Sequence, residues 1–139
     1  MPEEFVKNPI KIVNAVIVAN GKLLLLQRDD SSGIRDPNCW QLPGGGVEEG
    51  EIPNEAIKRE LQEEISIVPK TIRFLISPYP KTHVYYVPLT EDEVTNVKIG
   101  NEGKDLRFFS LEEMATIPLT QKLRMVLETQ KDALKSLLR

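Results

Sequence analysis

Short apolar runs alternate with polar punctuation along the chain, and the runs carry two different periods. "KIVNAVIVA" (11–19) and "KLLLLQR" (22–28) flank Asn20-Gly21. Both of those turn residues tolerate positive φ, so the runs predict two strands of a tight hairpin. Each run is apolar at most positions, which predicts at least one central strand covered on both faces. "DDSSGIRDPN" (29–38) reads as a polar loop, and "CWQL" (39–42) as a short strand feeding a glycine turn. "TIRFLIS" (71–77) and "HVYYVPL" (83–89) read as strands separated by the turn-rich "PYPK". Tyr85 and Tyr86 then fall on opposite faces, one core and one surface, with His83 at the strand start. A polar stretch from Thr90 to Lys104 leads to a last strand, "DLRFFSL" (105–111). Near the C-terminus the period becomes helical: Leu119, Leu123, Val126, Leu127, Leu134 and Leu138 share a stripe that is core or a dimer face. Cys39 and Trp40 read as packing residues.

One further helix is predicted from Asn54 to Ile65, and its pattern is unusual. Ile57, Leu61 and Ile65 form the apolar stripe of a core-facing helix. Glu60 and Glu64 lie on or beside that stripe, one turn apart, and Glu63 borders them. Burying a carboxylate without a partner is costly, and clustering several adds repulsion, so a positive charge is expected there. Hard oxygen ligands gathered in this way suit Mg²⁺ or Mn²⁺. Arg59 points to another side, towards Glu55 and Glu63, and can reach back to Glu51. Pro53 suits the first helical position, although Ile52 before it has no capping oxygen. Gly44, Gly45 and Gly46 precede the helix and let the backbone approach a ligand closely.

Composition narrows the setting. The 139 residues, 40% hydrophobic and 28% charged, fit one domain spanning 1–139 with a real core. A net charge of −3 argues against long nucleic acid or membrane held by bulk electrostatics, and leaves a small phosphorylated ligand open. A single cysteine excludes an internal disulfide framework and suits a reducing compartment. The start, "MPEEFVKNPIK", lacks the apolar stretch of a signal peptide, and "LLLL" at 23–26 is too short to span a bilayer. A soluble cytoplasmic chain is expected, without internal repeats or linkers.

The spacing around the glycine turn is specific. It runs Gly45, five residues, Glu51, seven residues, Arg59-Glu60-Leu61, one residue, Glu63-Glu64, one residue, Ser66-Ile67. This resembles the Nudix box, GX5EX7REUXEEXGU with U a bulky aliphatic residue, the signature of the Nudix (MutT-like) hydrolases. Every position matches except Ser66, which stands where the box has its last glycine; a left-handed turn there carries mild strain or a shifted cap. "WQLPGG" before the box and "NEGKDLRFFSLEE" downstream resemble the family's flanking segments.

The resemblance implies an α/β/α sandwich with a mixed sheet, the Nudix helix and a C-terminal helix. It implies hydrolysis of a phosphoanhydride in a nucleoside diphosphate linked to another group, with Mg²⁺ as cofactor and Mn²⁺ able to substitute. Glu60 and Glu64 would be the principal metal ligands, with the Gly44 carbonyl, Glu63 and Glu102 completing the shell. Arg59 would orient Glu60, and Glu51 would fasten the loop to the helix. Glu63 and Glu102 are the candidates for the base that activates water. Arg28 would meet the substrate phosphates, and Gly45 and Gly46 would border the substrate.

The substrate is less legible. The resemblance favours a nucleoside triphosphate pyrophosphohydrolase releasing a monophosphate and pyrophosphate, oxidised purine nucleotides being one option. Some relatives read the base with an asparagine near the C-terminal helix, where this chain has "IPLTQK", so either Thr120 or Gln121 substitutes or the base preference differs. The alternative is a dinucleotide polyphosphate or nucleotide-sugar hydrolase, with Tyr85 at the distance of a tyrosine in such relatives. Pro78 and Pro80 fall early for the proline of ADP-ribose pyrophosphatases. A third reading is a non-catalytic nucleotide sensor, although such domains lose the equivalents of Glu60, Glu63 or Glu64, all kept here. The expected partner is a small nucleotide, with no nucleic-acid polymer and no membrane, the chain being a monomer or homodimer.

Overall fold

The computed structural model describes residues 9–31 and 33–138, so the reading of the first eight residues lies outside the described part. β1 (Ile12–Ala19) and β2 (Lys22–Gln27) form the expected hairpin, with Val18 opposite Leu23 and Ala19 opposite Lys22. Asn20 and Gly21 turn it at φ 52° and 74°. β3 (Trp40–Gln41) follows, then β4 (Gly44–Gly46), where the glycine turn pairs antiparallel with Ile12–Asn14 of β1. The turn expected from the sequence is thus also a strand, because it docks on the end of β1 that the hairpin leaves unpaired.

α1 (Pro53–Ile65) starts at the expected proline, with Ile52 giving no side-chain cap. β5 (Arg73–Ile76) pairs antiparallel with β6 (Thr82–Pro88), and β6 runs parallel to β1 from Ile12–Thr82 to Val18–Pro88. α2 (Glu91–Asn96) occupies part of the polar stretch from Thr90 to Lys104, and β7 (Asp105–Phe109) pairs with β2. α3 (Leu111–Met114) ends the last predicted strand two residues early. Both short helices begin with a capping box, Thr90 with Glu93 and Ser110 with Glu113. That signature was legible in the sequence as Ser/Thr-x-x-Glu.

The C-terminal helix is two helices, α4 (Gln121–Thr129) and α5 (Lys131–Leu137), broken at Gln130 with φ −121° and ψ 24°. Thr129 at the break donates its hydroxyl to the Met125 carbonyl at 2.8 Å, a back-bond of the kind that bends helices.

The sheet is mixed, in the order β3-β2-β1-β6-β5, with β4 on β1 and β7 on β2. Alternation along β1 sorts its side chains between two cores. Val13, Ala15 and Ile17 meet Ile57, Leu61 and Ile65 of α1 on one face. Val16 and Val18 meet Met114, Leu123, Val126 and Leu134 on the other. Helices on both faces of one sheet make the α/β/α sandwich. The leucine stripe is therefore core, and Tyr85 and Tyr86 part as expected, Tyr85 buried under α1 and Tyr86 half-buried on the opposite face. Trp40 packs edge-on against Phe109 with ring centroids 4.8 Å apart. No helix among the described residues is long and apolar enough to cross a membrane.

Candidate active site

A cavity of about 620 Å³ opens on the α4 side of the sheet, within the usual range for small-molecule sites. Glu60, Glu64 and Glu102 border it together with Gly44, Gly45 and Gly46. Asn14, Arg28 and Gln41 form a polar group on its wall, and Tyr79, Leu123 and Val126 an apolar one, beside Thr120 and Gln121.

Glu60 and Glu64 come from α1, which covers the other face of the sheet, and the glycines explain how they reach across. A side chain on Gly45 would put its Cβ 2.5 Å from Glu60 Cδ. A side chain on Gly44, at φ 146°, would collide with the Val13 carbonyl and stand 2.7 Å from the Asn14 amide nitrogen. Without those atoms, the two carboxylates lie directly against the backbone of β4. The Gly44 N–H then donates to Glu64 Oε1 at 2.6 Å. This bond uses the Gly44 amide; the Gly44 carbonyl, expected from the resemblance to complete a metal shell, is a separate group.

Arg59 organises the turn. Its Nε and Nη2 donate to the two Glu51 oxygens at 2.8 and 2.9 Å, Nη2 also reaches the Gly46 carbonyl at 2.8 Å, and Nη1 reaches Glu60 Oε1 at 2.9 Å. Glu51 also accepts from the Glu48 N–H at 3.0 Å, so it ties loop to helix as expected. These bonds, from Arg59 first and then from the Glu48 amide, hold the Glu51 carboxyl down at about 2. Glu55, named as a neighbour of Arg59 from helical spacing, has no bond to it among the described contacts, because the fork is turned towards Glu51.

Glu64 is only 4% exposed. Burial pushes its carboxyl up to about 8; the Gly44 amide opposes this, while the Glu60, Glu102 and Glu63 carboxylates add to it. Glu60 is also raised by burial, against the pull of Arg59, with Glu63 and Glu102 pushing the same way. Two carboxylates driven towards their neutral forms by desolvation and mutual repulsion are suited to a cation.

The remaining candidates divide. Arg28 borders the cavity and is held in place, donating to Gln41 Oε1 at 3.0 Å and to the Arg35 carbonyl at 2.8 Å. Gly46 lines the cavity through its backbone, and Glu102 reaches it from the loop before β7. Glu63 does not border the cavity: its side chain is 50% exposed and 3.4 Å from Arg59, because the helix turns it outward. Tyr85 lies in the core under α1, away from the cavity, whereas Tyr79 and Pro78 line it. His83 faces Phe74 at 4.8 Å between ring centroids. Thr120 lines the cavity, but its hydroxyl is used to cap α4 through the Leu123 N–H at 3.3 Å. Gln121 lies beside it on the wall.

Sequence reasoning missed Asn14, which stands on the cavity wall among apolar neighbours of β1. The signal was present as the one polar position inside "IVNAVIVA". Among the described residues, no three acidic, histidine or cysteine side chains stand together as a finished metal cage. The available donors are Glu60, Glu64 and Glu102, spread around one cavity.

Comparison with known proteins places the chain in a family. A family model described as the NUDIX domain matches residues 9–130. The nucleoside triphosphatase NudI of Salmonella paratyphi B is 34% identical, over 91% of this chain and 96% of its own. The ADP-ribose pyrophosphatase of Methanocaldococcus jannaschii is 32% identical over 77% of this chain, which spans 65% of that relative's length. Among solved structures, a MutT NUDIX hydrolase from Burkholderia pseudomallei superposes with a TM-score of 0.68 at 27% identity, covering 86% of this chain and 96% of its own.

Proposed function

The chain belongs to the Nudix hydrolase family, and from that premise we propose that it acts as one catalytic unit. Its reaction is hydrolysis of a nucleoside triphosphate to the monophosphate and pyrophosphate, with Mg²⁺ bound by Glu60, Glu64 and Glu102. The observation that carries this reading is the delivery of the Glu60 and Glu64 carboxylates, past Gly44 and Gly45, to the border of one nucleotide-sized cavity. Support for the triphosphate comes from the NudI relative, named a nucleoside triphosphatase, which matches nearly end to end.

The residues fit a divalent ion. Their donors are hard carboxylate oxygens, two of them raised by burial and repulsion that a cation would relieve. When bound, Mg²⁺ supplies positive charge to the phosphate oxygens, where negative charge spreads during phosphoryl transfer. The protein's own groups do the rest. The Gly44 N–H and the Arg59 guanidinium hold Glu64 and Glu60 in orientation. Arg28, pinned by Gln41, offers its remaining donors to the phosphate chain. Glu102 has no protein partner among the described bonds and borders the cavity, so it takes the proton of the attacking water; outward-facing Glu63 does not. The base enters the wall formed by Tyr79, Leu123 and Val126, where Gln121 and Asn14 supply polar contacts.

A second reading, ADP-ribose hydrolysis, is favoured by the Methanocaldococcus jannaschii relative, named an ADP-ribose pyrophosphatase. The dinucleotide reading loses its motive residue, since Tyr85 is core. The test is a substrate panel with Mg²⁺, every product identified by mass. Monophosphate plus pyrophosphate from one triphosphate supports the first reading. Cleavage of ADP-ribose alone supports the second. Tight nucleotide binding without cleavage would make the chain a sensor.

A further inference from the structure

Ser66 ends α1 in the left-handed conformation, at φ 70° and ψ 13°. A glycine reaches this conformation without strain; a serine does not. What the serine adds is a hydroxyl, which donates to the Lys98 carbonyl at 2.9 Å. That bond joins a set of main-chain bonds onto the same turn of helix. Lys98 N–H donates to Ile65 O at 3.0 Å, Gly100 N–H to Glu64 O at 3.0 Å, and Asn101 N–H to Glu63 O at 3.3 Å. Gly100 lies so flat on the helix end that a Cβ there would overlap the Glu63 carbonyl. The next residue but one is Glu102, on the border of the cavity.

Apolar burial does little to hold this segment. Ile99 is 41% exposed, and Asn101 and Glu102 are exposed as well. A segment held by a few hydrogen bonds, the Ser66 bond among them exposed, opens at low cost, so each bond contributes to where its end residue stands. Among the described bonds, the Ser66 hydroxyl makes the only side-chain tie between α1's C-terminal turn and this segment.

We propose that Ser66 is a positioning residue: by tying Lys98 to the end of α1, it holds Glu102 opposite Glu60 and Glu64. This rests on the reading that those three carboxylates share the divalent ion. Ser66 touches neither ion nor substrate, and acts through Glu102.

The experiment compares Ser66→Gly and Ser66→Ala with the wild-type chain, reading the melting temperature and the Mn²⁺ dissociation constant by electron paramagnetic resonance. Both variants lose the hydroxyl, but only Ser66→Ala keeps the strain. Ser66→Gly is expected to melt at or above the wild-type temperature and Ser66→Ala below it, while both bind Mn²⁺ about tenfold more weakly. Affinity that follows melting temperature, with Ser66→Gly retaining wild-type binding, overturns the proposal. In a Glu102→Gln background the loss from Ser66→Gly is expected to vanish, and an additive loss overturns the route through Glu102. The underlying reading is tested separately: wild-type chain that binds Mn²⁺ no better than Glu64→Gln overturns the ligand assignment itself.

Discussion

The main-chain N–H of Gly44 donates to Glu64 Oε1 at 2.6 Å, linking two residues twenty positions apart. Through this bond the glycine turn holds a carboxylate that arrives from the opposite face of the sheet. It leaves the second oxygen of Glu64 for the cavity.

Replacing Glu64 by Gln keeps an oxygen to accept from Gly44 and removes the charge. Turnover is expected to fall by about a hundredfold or more, the scale of losing one metal-binding charge in a phosphoryl-transfer site. Steady-state kinetics with saturating Mg²⁺ would read it. Near-native kcat would mean that Glu64 is not a ligand.

Metal-free protein is expected to lose stability as pH rises from about 5 to 9. Glu64 titrates near 8 when folded and near its ordinary 4.5 when unfolded. A carboxyl raised by folding contributes fully below its unfolded value and loses that contribution as pH climbs through the folded one. Glu51 works the other way: held at about 2, its contribution is present above 4.5 and fades only on strong acidification. The check is a series of melting curves in EDTA. Glu64→Gln and added Mg²⁺ should each flatten the alkaline slope; an equally steep slope in Glu64→Gln would assign it to another group.

Gly45→Ala and Gly46→Ala are expected to differ sharply although the residues are adjacent. At Gly45 the added methyl meets the Glu60 carboxylate at 2.5–2.6 Å, whereas at Gly46 the nearest atom is 3.9 Å away. The first should fold, by circular dichroism, yet lose about 10- to 100-fold in kcat because Glu60 is displaced. The second should stay close to wild type. Equal activities would refute the packing of Glu60 on β4.

Arg59→Lys retains one charge and loses the fork that spans Glu51, Gly46 and Glu60. A lysine cannot make three such bonds at once. Loss of about 10- to 100-fold in kcat is expected, with a lowered melting temperature, because loop and helix separate. Retention of both would show that charge alone suffices at this position.

Much was legible in the sequence because it is local. Near-continuous apolar runs marked β1 and β2, Asn-Gly marked the hairpin between them, alternation marked β6, and period 3.6 marked α1 with its inward carboxylates. The box spacing from Gly45 to Ile67 named the family, since each of its positions answers a short-range requirement of one turn and one helix. Capping boxes at Thr90 and Ser110 were equally local and would have located α2 and α3.

Tertiary structure decided what depends on distant segments meeting. Helical spacing set Glu63 beside Glu60 and Glu64, but only packing against the sheet determined that Glu63 faces solvent while Glu64 is buried. Tyr85 was a candidate from its distance along the chain until the pleat of β6 sent it under α1, while Tyr79, in the turn before β6, lies on the cavity wall. Asn14 became a site residue only when β4 docked beside it and opened the wall there. Glu102 reached the cavity through bonds between its loop and the end of α1, across more than thirty residues of sequence. Periodicity specifies which way a side chain faces on its own element; what it faces is specified by the packing of elements far apart in the chain.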